Sequence, residues 1–262
     1  PWIISEDEPV CDATGRSVGM SDLETLMGVL PMVGAEPSIL DDTGIAHVVA
    51  QGHHILSRRT VPGLRVELEE TPGALIGQIV VEAGVTIVQP IHLCFGLTHP
   101  TGVQQIAIDV QVQEGAQARV LSHCLFPVAQ AAQHRMQAVI TIGPGASLTY
   151  TEGHYHGLHG GMQVLPHATI KIGKGARCFS DFSLLSGSVG NLDIDYLVEV
   201  EEEGLAELSA KIFGHKTDRI TLKESVILRG ERSRSLIKTR VVLEGDASAE
   251  ITGITEAHAK GA

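Results

Sequence analysis

The sequence predicts a right-handed parallel β-helix, and three observations carry that prediction. Glycines recur at a near-constant beat: Gly84, Gly115, Gly145, Gly175 and Gly204 are separated by 31, 30, 30 and 29 residues. Ahead of most of them runs an alternation of apolar residues, as in Ile108/Val110/Val112, Ala138/Ile140/Ile142 and Ala168/Ile170/Ile172. Aromatic residues make up only 3% of the 262, which suits a thin stacked core of Val, Ile, Leu and Ala. A fixed period of this size marks similar units that bury their apolar faces on one another. The period of two within each unit says that the units are strands.

Residues 1–44 lie outside the repeat and are expected to form an N-terminal flanking segment, with 45–262 as the β-helix core. Within the flank, Ser21-Asp22 reads as a helix start with Glu24 in the first turn, ahead of Leu23, Leu26, Met27 and Leu30, and Pro31 closes the helix. Two strands follow, over 45–50 and 64–68, and from about Ile76 the repeat runs onward. Gly230 and Gly245 are 15 apart, half a period, so each coil is expected to hold two or three strands. Successive coils then pair as parallel strands about 4.8 Å apart, and the favoured crossover between parallel strands is right-handed. The alternative is an antiparallel sandwich, because short strands bounded by turn signals suit that class too.

Composition excludes several function classes. The chain can bury roughly three quarters of its unfolded surface. Its net charge of −12 repels phosphate backbones, so no nucleic-acid partner is expected. No run approaches the roughly 18 apolar residues of a membrane span, and no cationic leader precedes an apolar stretch, so no membrane association is expected. Cys11, Cys94, Cys124 and Cys178 show no CxxC spacing, which suits a reducing cytoplasm. The first residue is Pro1 rather than Met, and the chain is expected to be a piece of a longer protein.

The candidate site comes from the repeat itself. His92, His123 and His154 are each 31 residues apart, Cys94 and Cys124 are 30 apart, and His156 lies two places beyond His154. Stacking is expected to place the three histidines in one column with the thiols beside them. Imidazole nitrogen and thiolate sulfur on adjacent rungs suit a zinc or iron centre, or the transfer of sulfur between neighbouring thiols. The plainer reading is a structural ladder, with cysteine as a small buried apolar residue. Alternation also predicts that the adjacent His123 and Cys124 point to opposite faces. His154-x-His156 is the paired-histidine pattern of a metal-binding cupin, although no acidic ligand follows it. The Gly-Pro-Gly-Ala at 143–146 and Gly-Lys-Gly-Ala at 173–176 read as turns rather than phosphate loops. His53-His54, Arg58-Arg59 and the acidic Glu199, Glu201, Glu202 and Glu203 read as solvated edges. No Ser/His/Asp order or carboxylate pair stands out as a catalytic unit.

Taken in order, His92-Leu93-Cys94-Phe95-Gly96, His123-Cys124-Leu125-Phe126-Pro127, His154-Tyr155-His156-Gly157 and Gly173-Lys174-Gly175-Ala176 resemble the SufB/SufD family of the SUF iron–sulfur assembly system. The stretch from Val189 to Tyr196 and the Ala247–Ala257 region extend the likeness, which covers roughly residues 64–262 and is nearest to short archaeal-type members. The resemblance implies a right-handed parallel β-helix that pairs with a second copy or a paralogue and docks to a SufC-type ABC ATPase. It also implies a non-enzymatic scaffold for a transient iron–sulfur cluster, ATP hydrolysis belonging to the partner. Members of the family continue past the Ala-His-Ala-Lys-Gly-Ala stretch with a further cysteine-bearing strand and a C-terminal helical region. The last coils here, around 236–255, are therefore expected to expose an edge that pairs with another chain.

Overall fold

A computed structural model describes residues 21–261. The described chain opens with α1 (Asp22–Val29). Ser21 caps it as the sequence predicts: Ser21 Oγ accepts from the Glu24 amide at 3.3 Å, and Glu24 Oε2 accepts from the Ser21 amide at 2.8 Å. This reciprocal pairing satisfies two donors that a bare helix start leaves open. Pro31 follows the end of the α-helix at Val29, as expected. It sits in the first turn of a 3-10 helix, Leu30–Val33, that follows α1 directly, where its missing N–H costs nothing. A second 3-10 turn spans Pro37–Leu40.

Four short strands come next: β1 (His47–Gln51), β2 (His54–Arg59), β3 (Leu64–Glu70) and β4 (Leu75–Val81). The second of these departs from the expectation, which left His53–Arg59 at a solvated strand end. Its sequence has no clean alternation, and it is a strand because β1 pairs with it antiparallel. The repeat then runs through β5 (Ile91–Gly96), β6 (Thr101–Val112), β7 (Gln117–Phe126), β8 (Ala131–Ile142), β9 (Ser147–His156) and β10 (Met162–Ile172). It continues as β11 (Arg177–Ser186), β12 (Gly190–Val200), β13 (Leu205–Gly214), β14 (Arg219–Leu228), β15 (Arg234–Leu243) and β16 (Ser248–Ala257).

These strands form two facing sheets of eight, ordered β15-β13-β11-β9-β7-β5-β1-β2 and β16-β14-β12-β10-β8-β6-β4-β3. Each coil contributes one strand to each sheet, so two strands make a coil and about six coils make the stack. Every pairing from β5 onward is parallel. The chain is thus a β-solenoid, and both the antiparallel sandwich and the cupin barrel are ruled out by this pairing. Antiparallel pairing is confined to the first end, where β1–β2 and β3–β4 cap the stack.

The glycine beat marks one of the two turn columns. Gly84, Gly115, Gly145 and Gly175 all have φ between 65° and 71°, a left-handed conformation that glycine adopts without steric cost. Their amides hydrogen-bond to the turn of the next coil, as in Gly84 N–H to Glu114 O at 2.8 Å and Gly115 N–H to Pro144 O at 2.9 Å. The fifth glycine differs. At that turn Glu203 takes the left-handed position with φ 58°, and Gly204 is needed for space: a Cβ there would lie 2.8 Å from Val200 Cγ1. Gly245, half a period out, belongs to the opposite turn column, with φ 71°.

Between the sheets the core falls into two apolar halves. One gathers residues such as Ile79, Ile108, Val120, Ile140, Leu148 and Ile170, the other Phe126, Val164, Phe182, Ile194 and Ile212. A third apolar cluster lies outside the solenoid, where Leu26, Met27, Leu30, Ala35 and Ile39 of the N-terminal strap cover Val49, Cys94 and Leu125.

Candidate functional site

The predicted histidine column does not form, and the register shows why. Strand β5 pairs with β7 so that His92 faces Leu121 and Cys94 faces His123, an offset of 29 residues. Strand β7 pairs with β9 so that His123 faces Gly153 and Cys124 faces His154, an offset of 30. Histidines spaced by 31 therefore overshoot by two residues at the first step and by one at the second. A two-residue overshoot keeps the face; a one-residue overshoot flips it. His92 and His123 share the outer face under the strap, and His154 turns into the interior.

The outer set comprises His92, Cys94 and His123, joined by His47, which the sequence reading did not single out. His47 is the register neighbour of His92 on β1, so the outer ladder runs His47–His92–His123 across three adjacent strands. His92 Nδ1 lies 3.1 Å from His123 Nε2, with the rings stacked at 5.3 Å, and His47 Nε2 lies 2.8 Å from Ser57 Oγ. Burial, then the nearby His92, lowers the His123 pKa to about 3. Burial under the strap pushes the Cys94 thiol up to about 12, so it is a neutral, packed side chain.

The inner set is Cys124, His154 and His156, to which the structure adds Glu152 and His134. His154 Nε2 is 2.7 Å from Glu152 Oε1. Tyr150 donates its hydroxyl proton to Glu152 Oε2 at 3.0 Å. Cys124 Sγ lies 3.9 Å from Glu152 Oε1 and 3.9 Å from His134 Nε2, across on the opposite sheet. The ligand atoms of Cys124, Glu152 and His154 all fall within 4.8 Å of one another, and all three residues are buried. His156 stacks on His154 at 5.8 Å, and its buried Nε2 has no hydrogen-bond partner.

Hydrogen bonds around this cluster set the His134 tautomer. The Gln104 amide nitrogen donates to the carbonyls of Gly52 (2.8 Å) and Gly96 (3.2 Å). That orients Gln104 Oε1 as the acceptor for His134 Nδ1 at 2.8 Å, so Nδ1 carries the proton and Nε2 presents a lone pair to Cys124. Burial, then the neighbouring His154, lowers the His134 pKa to about 3. Burial, then the Glu152 charge, raises the Cys124 pKa well above its ordinary value. A divalent ion reverses that preference, because a coordinating thiol is deprotonated outright.

No family model matches the sequence. An iron–sulfur cluster assembly SufBD family protein of Methanocaldococcus jannaschii is 30% identical over 193 residues, covering 74% of this chain and 61% of that protein. Another SufBD family protein, from Pyrococcus horikoshii, is 26% identical over 242 residues, covering 92% of this chain and 73% of that one. The chain belongs to the SufB/SufD family. It spans less than two thirds of the first relative's length.

Within this SufB/SufD chain, the weaker sequence candidates are structural. His53 Nε2 accepts from the Gln105 amide at 2.9 Å, His54 pairs with Glu70 at 3.1 Å, and Arg59 donates to the carbonyls of Leu40 and Asp42, anchoring the strap. Lys174 of the Gly-Lys-Gly-Ala turn pairs with Glu202 at 2.8 Å. Glu199 and Glu203 pair with Arg229 and Arg232 on the next coil. Cys178 is buried in the first core half, its thiol pushed up to about 12 by burial.

His134 and Glu152 had a signal in the sequence. Carrying the alternation Ile142, Ile140, Ala138, Met136 two residues further back lands on His134, and carrying Leu148 and Tyr150 forward lands on Glu152. A polar residue in apolar phase was the mark to follow. His47 had none, because its partnership with His92 depends on a pairing across more than forty residues.

Proposed function

We propose that the chain is a non-catalytic scaffold subunit of a SUF-type iron–sulfur cluster assembly complex. The observation that carries the reading is the sealed interior group Cys124, Glu152 and His154, a thiol, a carboxylate and an imidazole converging in a chain whose relatives are named for cluster assembly. Sulfur and nitrogen donors of this kind suit iron, which is cargo here rather than a resident cofactor. Burial keeps Cys94, Cys124 and Cys178 protonated, which supports a holding role over thiol nucleophilic catalysis. Among the described residues no helix is long and apolar enough to cross a membrane, and we place the complex in the cytoplasm.

The partners are a second SufB/SufD-type chain, identical or paralogous, and an ABC-type ATPase of the SufC type. The likeness to SufBD family proteins supports both. The test is co-purification with a SufB/SufD-type paralogue and the ATPase, followed by anaerobic reconstitution with ferrous iron and sulfide. The expected result is a visible-absorbing chromophore that accumulates in the complex, with ATP hydrolysis only when the ATPase is present. A chain that binds neither partner and yields no chromophore overturns the proposal.

A further inference from the structure

We infer that the interior Cys124–Glu152–His154 group seats one divalent metal ion, ferrous iron in the working protein, and not an assembled iron–sulfur cluster. The choice of iron rests on the scaffold reading; the single-ion geometry does not.

Donor count and spacing decide between an ion and a cluster. Nitrogen and sulfur ligands about 2.1 and 2.3 Å from a tetrahedral ion lie roughly 3.6 Å apart. Cys124 Sγ is 3.9 Å from Glu152 Oε1 and 3.9 Å from His134 Nε2. Small side-chain shifts therefore bring the donors to coordinating distance. Tyr150 holds Glu152 Oε2 at 3.0 Å, which leaves Oε1 as the carboxylate donor; its 2.7 Å contact with His154 Nε2 opens as the ion enters between them. One further buried nitrogen stands by for a fourth position: His134 Nε2, 3.9 Å from Cys124 Sγ, its lone pair directed by Gln104 through Nδ1.

An assembled cluster needs more sulfur than this interior provides. Iron–sulfur clusters are held by four cysteines, or by two cysteines and two histidines in the Rieske type. Among the described cysteines only Cys124 reaches the group. Cys94 lies under the strap on the other face of the same sheet. Cys178 stacks above Leu148 and so above Ala118, six residues down the strand from Cys124, about 20 Å away at the rise of a strand. The rings of Phe126 and Phe182 fill the space around His154, at 6.2 and 4.9 Å. One ion fits the donors; a cluster has neither ligands nor room.

Cobalt(II), added anaerobically to the purified chain, reports the site. The expected result is one equivalent bound, with a thiolate-to-cobalt charge-transfer band in the near ultraviolet that ferrous iron competes away. Cys124→Ser removes the band, Cys94→Ala leaves it unchanged, and Tyr150→Phe weakens binding by about tenfold. Should Cys124→Ser fail to fold by circular dichroism, His134→Gln and Tyr150→Phe, which keep the thiol, must still weaken or shift the band. No band, a band that survives Cys124→Ser, or one lost in Cys94→Ala overturns the inference. So does a sulfide-dependent chromophore formed by the chain alone and abolished by Cys124→Ser, an outcome that leaves the scaffold reading standing. Failure to bind a partner chain strikes the scaffold reading instead and leaves the ion site intact.

Discussion

At the scale of single residues, the decisive fact is that His123 and Cys124 are neighbours in sequence and face opposite ways. One belongs to a buried imidazole ladder beneath the strap, the other to a donor group inside the solenoid. Buried imidazoles carry a pH cost that can be signed. His123 and His134 have pKa values lowered from 6.5 to about 3, so between those limits the unfolded chain binds protons that the folded chain refuses. Their contribution to stability is intact above about pH 6.5 and falls as the pH drops toward 3, by about 1.4 kcal/mol per pH unit for each group. Urea midpoints at pH 7 and pH 5 are expected to differ accordingly. A His134→Gln variant should show a shallower fall. An unchanged slope in that variant would mean that His134 is not held neutral.

At the scale of elements, α1 and the strand face beneath it were legible to different degrees. The helix was readable because a capping box is local chemistry: Ser21, Glu24 and the apolar residues behind them lie within one turn or two. What the helix covers was not readable, because Cys94 and Leu125 reach it through the fold. Two glycines test this packing in opposite directions. A Cβ at Gly96 would lie 2.6 Å from the Leu125 carbonyl oxygen and closer still to Leu26, so Gly96→Ala is expected to destabilise by about 1–3 kcal/mol. Gly28 sits in α1 with nothing within 4 Å of the same position, so Gly28→Ala is expected to stabilise by about 0.5–1 kcal/mol. Chemical denaturation of the two variants checks both signs, and a neutral Gly96→Ala would show that the strap does not press on β5.

At the scale of the whole molecule, the solenoid is a stack in which each coil is completed by its neighbour. The hairpins β1–β2 and β3–β4 close one end. At the other, Ile251 occupies a core position, next to the buried Leu222, but is 41% exposed. The sequence by itself determined the repeat, the glycine turns and the capped helix, because each depends on residues a few positions apart or on one period; that each coil holds two strands rather than three came from the pairing. It also pointed to the His and Cys residues that lie near the site. Only the tertiary structure decided which of them meet. Register differs by a single residue between successive coils, and in a strand that one step sends a side chain to the other face. The same step separates a histidine ladder under the strap from the thiol, carboxylate and imidazole gathered inside.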